Sequence, residues 1–208
     1  MKPGEQLEAL FAAERSLRSA EAALLQSPPA ELQAVLVRAI DQASTLPDRA
    51  EAELRLRRLA DLCAQVEGPE MADALIVILN DDNPAVRVEA AEALVDVAYD
   101  RYAEVARAVE RAVAAGSNGT ALRELPRVIA EVAEPSAAPL ISRFLAHEDA
   151  EIAGSAVEAL ARLGDPTAIS ALQKFVDDRR EVTVDDGDTE LTTTVGELAQ
   201  EAIETLES

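Results

Sequence analysis

The chain has no tryptophan, only three phenylalanines and two tyrosines, and a single cysteine and a single histidine in 208 residues. So few aromatic rings exclude one thick globular centre built on large flat side chains, and favour thin layers of closely packed helices. One cysteine, Cys63, excludes an internal disulfide and a thiolate metal cluster. It stands in an apolar helical stripe and is expected to be a small core residue. The longest uninterrupted apolar run, Ala74 to Leu79, falls far short of the ~18 residues a membrane span needs. Glu5, Glu8 and Glu14 are foreign to a secretory signal. A cytoplasmic location is the expectation.

What is present is helix-forming and acidic. About half the residues are apolar, dominated by Ala, Leu and Val, which excludes a disordered chain. The formal net charge is −21. Residues 1–67 hold 8 basic and 11 acidic side chains, and residues 68–208 hold 11 and 29. Such a field repels nucleic acid and anionic membrane and attracts a protein partner with a basic patch. It also serves solubility alone.

Leu7, Leu10, Phe11, Leu17, Ala20, Leu24 and Leu25 recur at helical spacing and predict one long helix from about Gly4 to Gln26. Proline and glycine then punctuate the chain. Helices are expected at about 29–45, 48–66, 70–79, 85–98, 102–115, 120–133, 136–146, 150–163 and 167–176. Pro126 must fall in the first turns of its helix or kink it. Gly116-Ser117-Asn118-Gly119 reads as a loop.

The strongest signal is an internal repeat. Val86-Arg87-Val88-Glu89-Ala90-Ala91-Glu92-Ala93-Leu94 is echoed 66 residues later by Ile152-Ala153-Gly154-Ser155-Ala156-Val157-Glu158-Ala159-Leu160. Ala130 to Ala137 parallels Ala161 to Ala168 at an offset of 31. The unit is therefore two helices long. Asp82-Asn83-Pro84-Ala85-Val86-Arg87, leading into Ala90-Ala91-Glu92-Ala93-Leu94, resembles the HEAT repeat in its short bacterial, armadillo-type form. Ala159 to Pro166 resembles the junction to the next unit. The resemblance covers about residues 69–208 and implies an all-α, right-handed α-solenoid of helical hairpins. The second helix of each pair would line its concave face. The family's arginine stands at Arg87 but is Ala153 in the later unit. Residues 1–68 match poorly and read as N-terminal capping hairpins.

In the last unit Glu181-Val182-Thr183-Val184 and Leu191-Thr192-Thr193-Thr194-Val195 are β-prone and flank Asp185-Asp186-Gly187-Asp188. A β-hairpin inserted at about 181–194 is expected, projecting from the solenoid as a second contact surface or covering the end of its core.

Catalytic chemistry finds little support. His147 is alone, no Gly-x-Ser-x-Gly element accompanies it, and His147-Glu148 is one pair where helical-repeat di-iron hydroxylases need several. It reads as a loop residue beside an Asp149 helix cap. Asp185, Asp186 and Asp188 are too closely spaced for a calcium loop. Arg55, Arg57 and Arg58 lie beside Glu51 and Glu53 and read as a solvated face. Helical-repeat DNA glycosylases have basic, aromatic grooves, which this composition denies. No cofactor and no metal are expected. The candidate binding residues are Glu89, Glu92, Glu151, Glu158, Glu197 and Glu201 on the lining helices, with Asp185, Asp186 and Asp188 on the hairpin. Arg123 and Arg127 interrupt the column, and Arg127 and Arg162 are positioned to neutralise it. The leading expectation is a non-catalytic scaffold or adaptor for a basic protein. An acidic inhibitor or immunity-type protein imitating nucleic acid, and a bilin-lyase-like or chaperone subunit, are the alternatives.

Overall fold

The computed structural model describes residues 2–116, 119–132, 134–185 and 190–208, with the backbone alone at 184, 185 and 190. The described residues form ten α-helices and one two-stranded sheet. The helices are α1 (Pro3–Leu25), α2 (Pro29–Ser44), α3 (Arg49–Gln65), α4 (Pro69–Leu79) and α5 (Pro84–Ala114). They continue as α6 (Thr120–Ala130), α7 (Ala137–Ile141), α8 (Ala150–Leu163), α9 (Ile169–Leu172) and α10 (Val195–Glu207). Strands β1 (Glu181–Asp185) and β2 (Glu190–Thr194) lie between α9 and α10.

Local chemistry explains most boundaries. Pro29, Pro69 and Pro84 each open a helix, where the missing N–H costs nothing. Asp48, Asn83 and Asp149 cap α3, α5 and α8 by accepting from backbone N–H groups of the first turn. Gly164 ends α8 in the left-handed region, φ 70°. Pro126 sits in the second turn of α6 and is buried. The segment expected as one helix over 136–146 is α7 continued by a 3-10 stretch, Ser142–Ala146. That expected over 167–176 is likewise α9 between two short 3-10 turns.

Two expected helices, 85–98 and 102–115, run on as α5, with a break in dihedral angles at Arg101 (φ −137°, ψ 46°). The Arg101 guanidinium reaches back to the end of α3 and donates to Ala64 O at 2.9 Å and Val66 O at 3.0 Å. It satisfies carbonyls that a helix end leaves without partners.

Paired this way, the chain forms five two-helix units: α2 with α3, α4 with the first half of α5, the second half of α5 with α6, α7 with α8, and α9 with α10. Successive second helices pack on each other, α3 on α5, α5 on α6, α6 on α8 and α8 on α10. The result is an α-solenoid with one continuous apolar layer running from Leu32 on α2 to Ile203 on α10. Among the described residues Phe144 is the one aromatic ring in the fully buried set, and Cys63 is buried as expected. Burial pushes its thiol up to about 12. Ion pairs stitch unit to unit on both rows. Arg111–Asp73 (2.8 Å) and Arg143–Glu110 (2.9 Å) join first helices. Arg57–Glu89 (2.9 Å), Arg123–Asp149 (2.9 Å) and Arg162–Glu131 (2.5 Å) join second helices.

Helix α1 stands apart. None of its residues is buried, Leu7, Leu10, Phe11 and Leu17 are exposed, and only Leu24 and Leu25 pack on the apolar layer. Glu21 ties it to α3, accepting from Gln65 at 2.8 Å and facing Arg58 at 3.6 Å.

The hairpin occurs where expected, with Val182 opposite Thr193 and Thr183 opposite Thr192. Its base is docked. Val182 is buried, with a methyl group 3.1 Å from where a Cβ on Gly154 would stand. The Thr183 N–H donates to Glu151 at 3.0 Å. Gly196 at the start of α10 lies so close to residues 176–178 that a Cβ would meet Val176 O at 2.6 Å and Asp178 O at 2.8 Å.

Candidate binding face

The second helices α3, α5, α6, α8 and α10 share one face, and the carboxylates expected there divide by what they already do. Glu89 on α5 accepts from Arg57 on α3 at 2.9 Å. Asp61 adjoins this pair, and its carboxyl is raised above the ordinary range, first by desolvation and then by the Glu89 charge. Glu151 on α8 holds β1 through Thr183 N–H. Glu197 on α10 closes a capping box with Thr194 and also accepts from the Thr193 hydroxyl at 2.8 Å. Those hydrogen bonds hold its carboxyl below the ordinary range. Three of the six glutamates are therefore engaged in the fold. The Thr194-x-x-Glu197 spacing is a capping-box signature legible in the sequence, and it marks Glu197 as structural.

Glu92, Glu158 and Glu201 are exposed and make no ion pair among the described residues. Enough protein surrounds the Glu158 carboxyl that desolvation raises it, and the nearby Glu151 charge raises it further. The arginines of this face are committed elsewhere. Arg123 pairs with Asp149, Arg127 turns along its own helix to Glu124 (3.3 Å), and Arg162 pairs with Glu131. The neutralisation anticipated from Arg127 and Arg162 thus falls on Glu124 and Glu131 instead of the column. One acidic residue that the repeat alignment does not single out joins the set. Asp96 follows Glu92 by one turn, is exposed, and lines the same cleft. Its i, i+4 spacing from Glu92 is the only signal of it in the sequence.

That cleft, about 470 Å³, lies between α5 and α6. Val88, Ala91, Val95 and Val128 give it an apolar floor, Glu92 and Asp96 form one wall, and Arg127 and Glu131 form the other. On the hairpin, Asp185 ends β1, and Asp186 and Asp188 lie outside the described residues. His147 accepts at Nδ1 from the Asp149 N–H (3.1 Å), beside the cap of α8 as expected. Arg55 and Arg58 pair with Glu51 and Asp61 on their own helix. Among the described residues no group of three or more His, Cys, Asp or Glu side chains could hold a metal ion. No helix there is long and apolar enough to cross a membrane.

The family model described as HEAT repeats matches residues 110–185, from the second half of α5 to the end of β1. None of the curated proteins matches the sequence. Among solved structures, the chain is similar to an engineered protein at 21% identity, covering 91% of this chain and 83% of that one with a TM-score of 0.38. It is similar to human deoxyhypusine hydroxylase in complex with glycerol at 17% identity, with coverages of 96% and 98% and a TM-score of 0.33. A designed armadillo repeat protein shows 16% identity, coverages of 82% and 99%, and a TM-score of 0.30.

Proposed function

We propose that this chain, a HEAT-repeat protein, is a non-catalytic adaptor that holds a basic protein on the concave, acidic face of its second helices. One observation carries the reading: Arg123, Arg127 and Arg162 each pair with another carboxylate, leaving Glu92, Asp96, Glu158 and Glu201 without an ion pair among the described residues. Unpaired carboxylates held on a rigid scaffold repel each other, and an incoming lysine or arginine relieves that repulsion. The apolar layer fixes their spacing before the partner arrives, so little ordering cost falls on this side of the complex. Residues 1–68, with α1 and the α2–α3 pair, act in this scheme as the N-terminal cap. The hairpin supplies a second contact at the far end, through Asp185, Asp186 and Asp188.

The reading predicts salt-sensitive association. Tagged protein and its Glu92→Lys/Glu158→Lys/Glu201→Lys variant are compared for the proteins they retain at low and at raised ionic strength. Retention of a basic protein by the native chain, lost in the variant and at raised salt, supports the acidic-face adaptor. Equal retention by both moves the interface to the hairpin or α1. A retained nuclease whose activity is blocked would mark the chain as an inhibitor instead.

A further inference from the structure

The cleft between α5 and α6 differs from the rest of the acidic face in having a floor. Ala91 and Val128 are buried at its base, Val95 is half-buried, and Val88 is exposed at one end. Its two walls are unlike. On the α6 side Glu131 is held by Arg162 and Arg127 by Glu124. On the α5 side Glu92 and Asp96 are exposed and make no ion pair among the described residues. We propose that this cleft seats a basic peptide segment of a partner protein, with an aliphatic or aromatic side chain on the Ala91–Val95–Val128 floor and lysine or arginine against Glu92 and Asp96. This rests on the reading of the chain as an adaptor and gives that adaptor a defined contact.

The chemistry selects the occupant. Glu92 and Asp96 stand one helical turn apart, about 6 Å along the axis. That separation matches cations at i and i+4 of a helix, with an apolar residue at i+3 on the same face. The floor rewards that apolar side chain, at about 25 cal/mol for each Å² it removes from water. Nucleic acid offers phosphate where the cleft offers carboxylate, and is repelled. A second copy of the chain would have to bring its exposed α1. That helix carries Glu5, Glu8, Glu14 and Glu21 against Arg15 and Arg18, and Arg18 is already paired with Glu14. It delivers no surplus positive charge to the cleft.

The probes are two short fluorescently labelled peptides of equal charge, one alternating arginine and leucine, the other arginine and serine. Anisotropy titrations at low salt are run with the native chain, with Glu92→Gln/Asp96→Asn, and with Glu8→Gln/Glu31→Gln, which also removes two negative charges but away from the cleft. The native chain is expected to bind the leucine peptide at least about tenfold more tightly than the serine peptide. The Glu92→Gln/Asp96→Asn variant is expected to lose that preference together with most of the affinity, and the Glu8→Gln/Glu31→Gln variant to keep both. Equal binding of the two peptides, or equal weakening by both variants, would reduce the cleft to general charge attraction and overturn the proposal. A native chain that binds neither peptide would overturn it too. Unchanged binding in Glu92→Gln/Asp96→Asn with loss in Glu158→Gln/Glu201→Gln would also overturn the cleft, while leaving the acidic-face adaptor standing. Sedimentation of the native chain as an oligomer that Glu92→Gln/Asp96→Asn dissolves would make the occupant a second copy.

Discussion

Two units of this solenoid solve the same problem with different parts. In the unit of α4 and α5, Arg87 folds back and donates to Asp82 O at 2.9 Å and Asp81 O at 3.1 Å, bonding the carbonyls of the turn that precedes its own helix. In the unit of α7 and α8 the corresponding position is Ala153, fully buried, and the turn is formed by Leu145 to Glu148. The carbonyls of that turn are met by Arg180, from the segment leading into β1. Its guanidinium donates to Leu145 O (3.2 Å), His147 O and Glu148 O (3.5 Å), while Asp178 braces it at 2.6 Å. An arginine at 153 would compete for ground that β1 covers, since Val182 rests against the neighbouring Gly154. The inserted hairpin therefore replaces the missing side chain with one of its own. What the repeat preserves is the hydrogen-bonding of the turn, and the residue that supplies it is free to move.

The comparison breaks most readily at Gly196. A Cβ there meets two backbone oxygens below 3.0 Å, and neither can move without shifting the segment that carries Arg180. Gly196→Ala is expected to cost about 3 kcal/mol in chemical denaturation. Amide exchange should accelerate in α8 and α10 and stay slow in α3 and α4. Next comes removal of the arginines themselves. Arg180→Ala strips three carbonyls of their donor, leaves Asp178 only the backbone N–H of residue 180, and is expected to cost about 2 kcal/mol, against about 1 kcal/mol for Arg87→Ala, which orphans two carbonyls near solvent. Arg180→Lys should recover little, because one ammonium cannot reproduce a planar fork of donors. Equal costs for the two alanine variants would show that the hairpin arginine is no more than an equivalent of the repeat one.

A finer probe is Gly154→Ala. Alanine is the better helix former by about 1 kcal/mol, yet its methyl would crowd a buried, β-branched Val182 with little freedom to yield. A net loss below about 1 kcal/mol is expected, turned into a gain when Val182→Ala is present as well. Additive effects of the two substitutions would deny the contact.

The smallest effect is that of acid. Asp178 is held below the ordinary carboxylate range by its hydrogen bonds with Arg180, and Glu197 by Thr193 and Thr194. Asp149 is also lowered, by Arg123 and the backbone N–H groups it caps, which outweigh its desolvation. A carboxylate depressed in the folded state stabilises above its unfolded pKa, near 4, and that contribution is lost as pH falls through the lower folded value. All three belong to the α7–α10 end, whereas α5 is capped by Asn83, which does not titrate. Glu158 works in the opposite sense, since desolvation and then the Glu151 charge raise its pKa, and protonation relieves both. Lowering the pH below about 4 is therefore expected to loosen β1, α8 and α10 before α5. Amide exchange followed against pH would show uniform loosening if the contrast is absent.

The sequence disclosed the elements better than their partners. Apolar spacing and proline placement mark α2, α3, α4 and α8 to within a residue or two, because those signals are local. Val182, Thr183, Thr192 and Thr193 announce the hairpin for the same reason. The two helices expected over 85–98 and 102–115 meet at the Arg101 kink, which Asp100-Arg101 marks with neither glycine nor proline. The stripe of Leu7, Leu10 and Phe11 is legible as helix, but periodicity cannot tell whether anything covers it. At the binding face, repeat alignment put Glu92 and Glu158 in register, yet it could not foresee that Glu89 would be taken by Arg57 or Glu151 by Thr183. Those partners lie in other units, beyond the reach of any window along the chain. Arg180 is the extreme case, because comparing like positions finds only the gap at Ala153.

The one-residue junction at Arg101, between the two halves of α5, has a practical consequence. Proteases nick exposed loop tips, and a solenoid is ordinarily dissected at the turn between one unit and the next. At this junction the only non-helical residue is Arg101 itself. The backbone stays helical on both sides of Arg101, whose side chain is clamped to Ala64 and Val66. A truncation ending near residue 100 would strip the α3 terminus of its Arg101 donors, so removing the later units is expected to loosen the end of α3 as well.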